Sequence, residues 1–325
     1  MTVVNKTTDL NELINDFDVL IENFRSLIAK AKSGAAVEKT KLWKYKKALQ
    51  NLDELGDSEL ASLLGLVSKY CAMNQVFSEH SRITIPDDKL LELLDGRHVI
   101  HDETENYNGT FFELSMAVRF AQRLGAAAVI DMTTDCDVIL NGKFAVECKY
   151  LHSVKKFRSN ISDGMTQLDD RIDKGFANVG VVALDLSNLI DHEKIQTFGQ
   201  SVFDSFAASY EKMVKSRGYV ARDLSSDGVV KSVLQDRNFA KIMGSFISHQ
   251  AESTFHVNFT KQELEKLDDR KIAIIYQTNI YLCFHYEGNV VPTPFRTLNY
   301  YIHHGLPDAT YSSVQRFFHT LAVGV

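Results

Sequence analysis

Between residues 8 and 95 apolar side chains recur at helical spacing. Leu10, Leu13, Ile14, Phe17, Leu20, Ile21, Phe24 and Leu27 predict one buried face, and Leu60, Leu63, Leu64 and Val67 predict another. A helical region over residues 1–95 follows. Near residue 100 the pattern changes. "NGTFFELSMAVRFAQRLG" predicts a helix stopped by Gly125, and "AAAVI" a short strand or lead-in. Next, "DVILNGKFAVECKY" predicts a hairpin, "NISDGMTQLDDRIDKG" a helix, and the valine-rich "NVGVVALDLSNLI" a buried strand. Residues 197–250 read as mainly helical, and "RKIAIIYQTNIYLCFHYEGNVV" returns to strand chemistry. Helix, strand, strand, helix, strand is the order of an α/β core with a mixed central sheet flanked by helices, here over residues 96–325.

Composition narrows the function classes. In 325 residues, 45% hydrophobic content supports a substantial core, and a formal charge of −6 argues against a protein that coats nucleic acid or anionic lipid indiscriminately. Any phosphate-binding surface is therefore expected as a local patch. The start, "MTVVNKTTDLNELINDF", carries acids within its apolar pattern, so neither a signal peptide nor a membrane span is expected and a cytoplasmic location is. Cys71, Cys136, Cys148 and Cys283 form no CxxC pair and no zinc-like spacing, which fits reduced thiols. There is no GxxxxGK[ST] loop and no GxSxG elbow, so a nucleotide-driven motor and a serine hydrolase lack support. The lysine run "EKTKLWKYKKAL" interleaves cations with Trp43 and Tyr45, a pattern shared by nucleic-acid contacts and solvated helix faces.

The hairpin carries the most informative charges. Asn141-Gly142 is a strong turn signal, because both residues tolerate the positive φ of a two-residue type I′ turn. In that register Leu140 faces Lys143 and Asp137 faces Val146, which puts Asp137 and Glu147 on opposite sheet faces. For the two acids to cooperate, the hairpin needs one extra residue, in a three-residue turn or a bulge. Glu147 and Lys149 alternate correctly to share a face, whereas Cys148 points away from them and reads as core. Paired carboxylates suit Mg²⁺, and a neighbouring lysine can position water or offset charge developing on a phosphorane. An exposed strand face carrying an incidental Glu and Lys is the plainer alternative.

Asp137, nine intervening residues and then Glu147-Cys148-Lys149 resemble the D-x(n)-E-x-K signature of the PD-(D/E)XK phosphodiesterase superfamily, the restriction-endonuclease-like fold. Glu113 stands on the preceding helix, where that family often supplies a glutamate, and Gln167 on the following helix, where exonuclease-like members carry a glutamine. The likeness spans about residues 105–190. The family's proline is absent, with Thr134-Asp135-Cys136 preceding Asp137, and Asp135 is a competing metal acid. The resemblance implies a restriction-endonuclease-like core and a metal-dependent nuclease. In it, Glu113, Asp137 and Glu147 hold Mg²⁺, for which Mn²⁺ can substitute, while Lys149 assists the attacking water and Gln167 orients the site. It also implies DNA ahead of RNA, a role such as microbial defence, a separate motor or defence partner, and compatibility with a homodimer.

Rival readings accompany each residue. Thr110-Phe111-Phe112-Glu113 also matches a capping box, in which Glu113 would reach back to the Thr110 N–H. Lys155, Lys156 and Arg158, just after the hairpin, are candidate phosphate contacts or a solvated loop. His152 is a candidate proton shuttle, more simply a surface residue, and His303-His304 make a poor metal pair. The alternative function is an inactive nuclease-fold module that binds nucleic acid or protein. Clustered carboxylates argue against it, since binding alone has no use for their mutual repulsion.

Overall fold

The computed structural model describes residues 3–4, 10–31, 36–96, 107–125, 128–216 and 226–323. Its centre is an eight-stranded mixed sheet. The strands are β1 (Val3–Val4), β2 (Ile83–Thr84), β3 (Ile130–Asp131), β4 (Val138–Leu140), β5 (Phe144–Tyr150), β6 (Val179–Asp185), β7 (Lys271–Tyr286) and β8 (Asn289–Ile302). Their spatial order is β1-β8-β7-β6-β5-β4-β3-β2. β5, β6 and β7 run parallel to one another, β2 runs parallel to β3, and the remaining pairs are antiparallel.

Eleven α-helices among the described residues cover the sheet. They are α1 (Leu10–Lys30), α2 (Lys41–Leu49), α3 (Asp57–Ala72), α4 (Asp87–Leu91), α5 (Tyr107–Leu124), α6 (Phe157–Asp173), α7 (His192–Ser216), α8 (Ser226–Gln235), α9 (Arg237–Asn258), α10 (Lys261–Leu264) and α11 (Asp308–Val323). No helix among these residues is long and apolar enough to cross a membrane.

Strand alternation sorts the core into two layers. Val138, Val146, Cys148, Val181 and Ala183 face one apolar cluster, built with α1–α5 and α11. Ile139, Ala145, Val182, Leu184 and Ile274 face the other, built with α6–α9. Both faces of the central strands are buried, which explains why β6 reads as an unbroken apolar run. The helical segment before residue 95 shares the first cluster with the sheet, so its packing energy and that of the strands are pooled.

Most element types match the periodicity. α1 buries Leu13, Phe17, Leu20, Ile21, Phe24 and Leu27 as expected, while Leu10 is 40% exposed at the helix start. α3 departs more, because it buries Ala61, Leu63, Gly65, Val67 and Tyr70, and Leu60 and Leu64 instead line an apolar surface groove. The lysine run forms α2 and is structural. Lys41 is buried against the Tyr107 ring and Lys46 pairs with Asp18 at 2.7 Å.

Candidate active site

The β4–β5 connection is a three-residue turn, Asn141-Gly142-Lys143, with Leu140 paired to Phe144. Asn141 and Gly142 both take left-handed backbone, at φ 50° and 61°. A two-residue turn would satisfy the Asn-Gly signal equally well, but surrounding contacts select the longer one. Asn141 exchanges two 2.8 Å hydrogen bonds with the Val129 backbone, and the Lys143 carbonyl accepts from Asn178 N–H at 2.8 Å. The extra residue shifts the register so that Val138 pairs with Val146. Continued by one position, that register sets Asp137 opposite Glu147 on the face that carries Ile139 and Ala145.

The ladder stops at Val138, and Asp137 replaces its next hydrogen bond with a side chain. Asp137 Oδ2 accepts the Cys148 N–H at 2.7 Å. This fixes the carboxylate beside β5. Two residues along the same face, Lys149 Nζ lies 3.8 Å from Glu147 Oε2 and donates to Gln167 Oε1 of α6 at 2.5 Å. Gly164, one turn before Gln167, makes room for this crossing. A Cβ there would stand 3.4 Å from Lys149 Cε and 3.2 Å from Val182. Gly164→Val is therefore expected to push α6 off the strand, lowering stability by about 1–3 kcal/mol and displacing Lys149 from Gln167. A thermal melt together with turnover would measure both effects.

Glu113 approaches from α5, in the other helical layer. Its Oε2 lies 2.7 Å from Lys89 Nζ on α4. α5 begins at Tyr107, which places Thr110 inside the helix, and the Thr110 hydroxyl donates to Glu92 at 2.8 Å. The capping-box reading of Glu113 is thereby corrected: helix entry lies upstream of the four-residue match, so Glu113 faces Lys89 rather than a cap.

Electrostatics tie the acids together. Burial pushes Glu147 up to about 7, and the Asp137 charge adds to the rise, while Lys149, the Cys136 thiol and Arg171 oppose it. Burial likewise pushes Glu113 up to about 7, again with Asp137 adding and Lys89 opposing. Burial would lower the Lys89 ammonium, but Glu113 and Asp137 outweigh it and the net direction is up. Glu147 is 1% exposed, and its Oε1 is buried without a hydrogen-bond partner, with Arg171 Nε 3.8 Å away. An unsatisfied carboxylate oxygen in such a place is costly without a cation or donor to meet it.

The five proposed site residues Glu113, Asp137, Glu147, Lys149 and Gln167 thus form one linked cluster. The carboxylates are not yet gathered about a single point. Among the described residues, no group of three or more His, Cys, Asp or Glu side chains stands in metal-holding geometry. Glu113 is engaged by Lys89 and Asp137 by the Cys148 N–H. Asp135 is exposed beyond the end of β4, and Cys148 is buried on the opposite face, its thiol pushed up by burial.

Lys155 and Lys156 are exposed in the turn between β5 and α6. Arg158 is also exposed, but it donates to the Asn258 carbonyl at 3.2 Å and stands 3.8 Å from Glu263, which ties it to the end of α9. Two residues at the cluster escaped the reading of the sequence. Arg171 lies four residues after Gln167 and therefore on the same helical face, a signal that could have found it. Lys89 comes from a separate helix far upstream and carries no local signal. Comparisons with protein-family models, curated proteins and solved structures yield no match for the chain.

Proposed function

We propose that the protein is a metal-dependent nuclease with a restriction-endonuclease-like core, hydrolysing phosphodiester bonds in nucleic acid, with DNA as the substrate. The observation that carries this reading is the three-residue turn. It moves Asp137 from the face opposite Glu147 to the same face, the condition that joint action of the two acids requires. Nothing in strand stability calls for a buried glutamate with an orphan oxygen beside a second carboxylate, and that cost is what a functional site tolerates.

The donor set fits a hard divalent cation in its chemistry: carboxylate oxygens, one of them unsatisfied, in a site whose mutual repulsion a cation would relieve. Asp137 and Glu147 would hold Mg²⁺ or Mn²⁺, with Glu113 joining once released by Lys89. When bound, the ion supplies Lewis acidity toward phosphate oxygens and a lowered pKa for water. The remaining work falls to the chain's own groups. Gln167 fixes the Lys149 ammonium over the same face as Glu147, where it can orient a water and offset charge developing on phosphorus. Arg171 limits repulsion around Glu147 from the other side. Lys155 and Lys156 stand exposed immediately after β5, where they can meet the backbone of a strand entering the site.

Cleavage of linear and circular double-stranded DNA, single-stranded DNA and RNA, each with Mg²⁺, Mn²⁺ or EDTA, tests the reading. Metal-dependent hydrolysis is expected, lost in EDTA. Folded protein that binds these nucleic acids and cuts none with either metal would overturn it in favour of a binding module.

A further inference from the structure

Lys89 reaches the carboxylates from α4, a five-residue helix that belongs neither to the β4–β5 hairpin nor to the helices on either side of it. The backbone beneath it is anchored. Leu90, Leu93 and Leu94 are buried in the first apolar layer, and the Leu93 carbonyl accepts from the Tyr70 hydroxyl of α3 at 2.8 Å. The Glu92 carboxylate accepts from Thr110 of α5, also at 2.8 Å. The Lys89 side chain is held at one point only. Among the described residues its ammonium has Glu113 Oε2 as its single partner, at 2.7 Å, at the end of a flexible stem.

Stability alone does not account for this contact. The two side chains are mostly buried, at 22% and 15% exposed, and a desolvated ion pair contributes little net stability unless further hydrogen bonds complete it. Here they do not. Glu113 Oε2 is buried without a hydrogen-bond partner despite the nearby ammonium, so the two groups attract by charge and not through a directed bond. Glu147 Oε1 is in the same condition, with Arg171 Nε 3.8 Å away. Each buried glutamate of the cluster is compensated in charge by a side-chain cation and left open in coordination. A hard divalent ion, with twice the charge and direct bonds to oxygen, meets such an oxygen better than an ammonium does.

On the metal-dependent reading of the site, on which this rests, we infer that Lys89 is a built-in counter-cation for Glu113. It yields the carboxylate when a divalent ion binds, and so sets the ion concentration at which Glu113 joins Asp137 and Glu147. While Lys89 holds Glu113, no three carboxylates among the described residues stand in metal-holding geometry. Competition for one oxygen is reciprocal, so Lys89 and the ion weaken each other's hold by the same factor. The helical segment before residue 95 thereby regulates a site built elsewhere.

Calorimetric titration of the full chain with Mn²⁺, after stripping with EDTA and dialysis and without nucleic acid, tests the inference. Lys89→Met is expected to bind Mn²⁺ about fivefold or more tightly than the wild type. Removing any nearby cation favours an ion to some extent, so the gain has to depend on Glu113. In a Glu113→Gln background, Lys89→Met is expected to change affinity by less than about twofold. A second readout needs no variant. Acetylation of Lys89 in the wild type, followed by mass spectrometry, should rise on adding Mn²⁺, while that of the exposed Lys143 stays level. It decides the matter if Lys89→Met does not fold.

The outcomes separate this inference from the reading beneath it. Mn²⁺ binding that is lost in Glu147→Gln but equal or weaker in Lys89→Met overturns the role of Lys89 and leaves the metal site standing. The same holds for a gain that persists undiminished in the Glu113→Gln background, and for Lys89 acetylation that Mn²⁺ does not change. Absence of Mn²⁺ binding in both the folded wild type and Lys89→Met overturns the metal site and the role of Lys89 together.

Discussion

Glu147→Gln is expected to reduce phosphodiester hydrolysis by about 10³-fold or more, with a circular dichroism spectrum like that of the wild type. The substitution keeps the volume of a side chain that is 1% exposed and removes only its charge, so loss of turnover reports chemistry rather than collapse. Lys149→Met is expected to lose about 10²-fold or more by a different route. It spares the carboxylates and deprives Gln167 of its partner, so substrate binding should survive where turnover does not. The two variants together separate holding a cation from orienting water. Full activity in either one would sink the assignment of that residue, and full activity in both would sink the site.

The second large effect is on stability, and its sign is opposite to the usual one for a functional carboxylate. Glu147 and Glu113 titrate near 7 in the folded chain against 4.5 for an ordinary glutamate, because burial and Asp137 disfavour the charged forms. A raised carboxyl pKa means the folded state binds more protons than the unfolded state between about 4.5 and 7. Stability is therefore fully present below that window and is lost as pH rises through it. The loss is on the order of 3 kcal/mol for one such glutamate, and less than twice that for two whose titrations interact. Asp170, Asp236 and Asp268 shift the other way, downward, so their contribution is complete before the measurement window opens. In EDTA, the melting temperature is expected to fall by several degrees from pH 5.5 to 8, and Glu147→Gln should flatten much of that slope and melt higher than the wild type at pH 8. Excess Mg²⁺ should recover the loss at pH 8 in the wild type and not in the variant. A wild-type melting temperature that is level or rising across this range, matched by the variant, would refute a strained carboxylate pair.

These two expectations come from one trade. The site withholds satisfaction from Glu147 Oε1 and sets Asp137 beside it, at a cost that the two apolar layers of the core offset. Lys89 softens the cost at Glu113, and Arg171 softens it at Glu147.

By itself the sequence determined the types and order of the elements from α5 to β6. Periodicity located α1, α5, α6, β6 and β7, because helix and strand repeats are local properties that burial on one or two faces imposes on neighbouring residues. It also set Glu147 and Lys149 on one face, since alternation along a strand needs no long-range knowledge, while Gln167 came into view through the family resemblance alone. Register was beyond its reach. Asn-Gly serves a two-residue or a three-residue turn, and only the bonds from Asn141 to Val129 and from Lys143 to Asn178 decided between them. On that decision rests whether Asp137 meets Glu147. Tertiary structure alone also delivered Lys89 to Glu113, because packing α4 and α5 on one sheet face joins residues that no spacing rule connects.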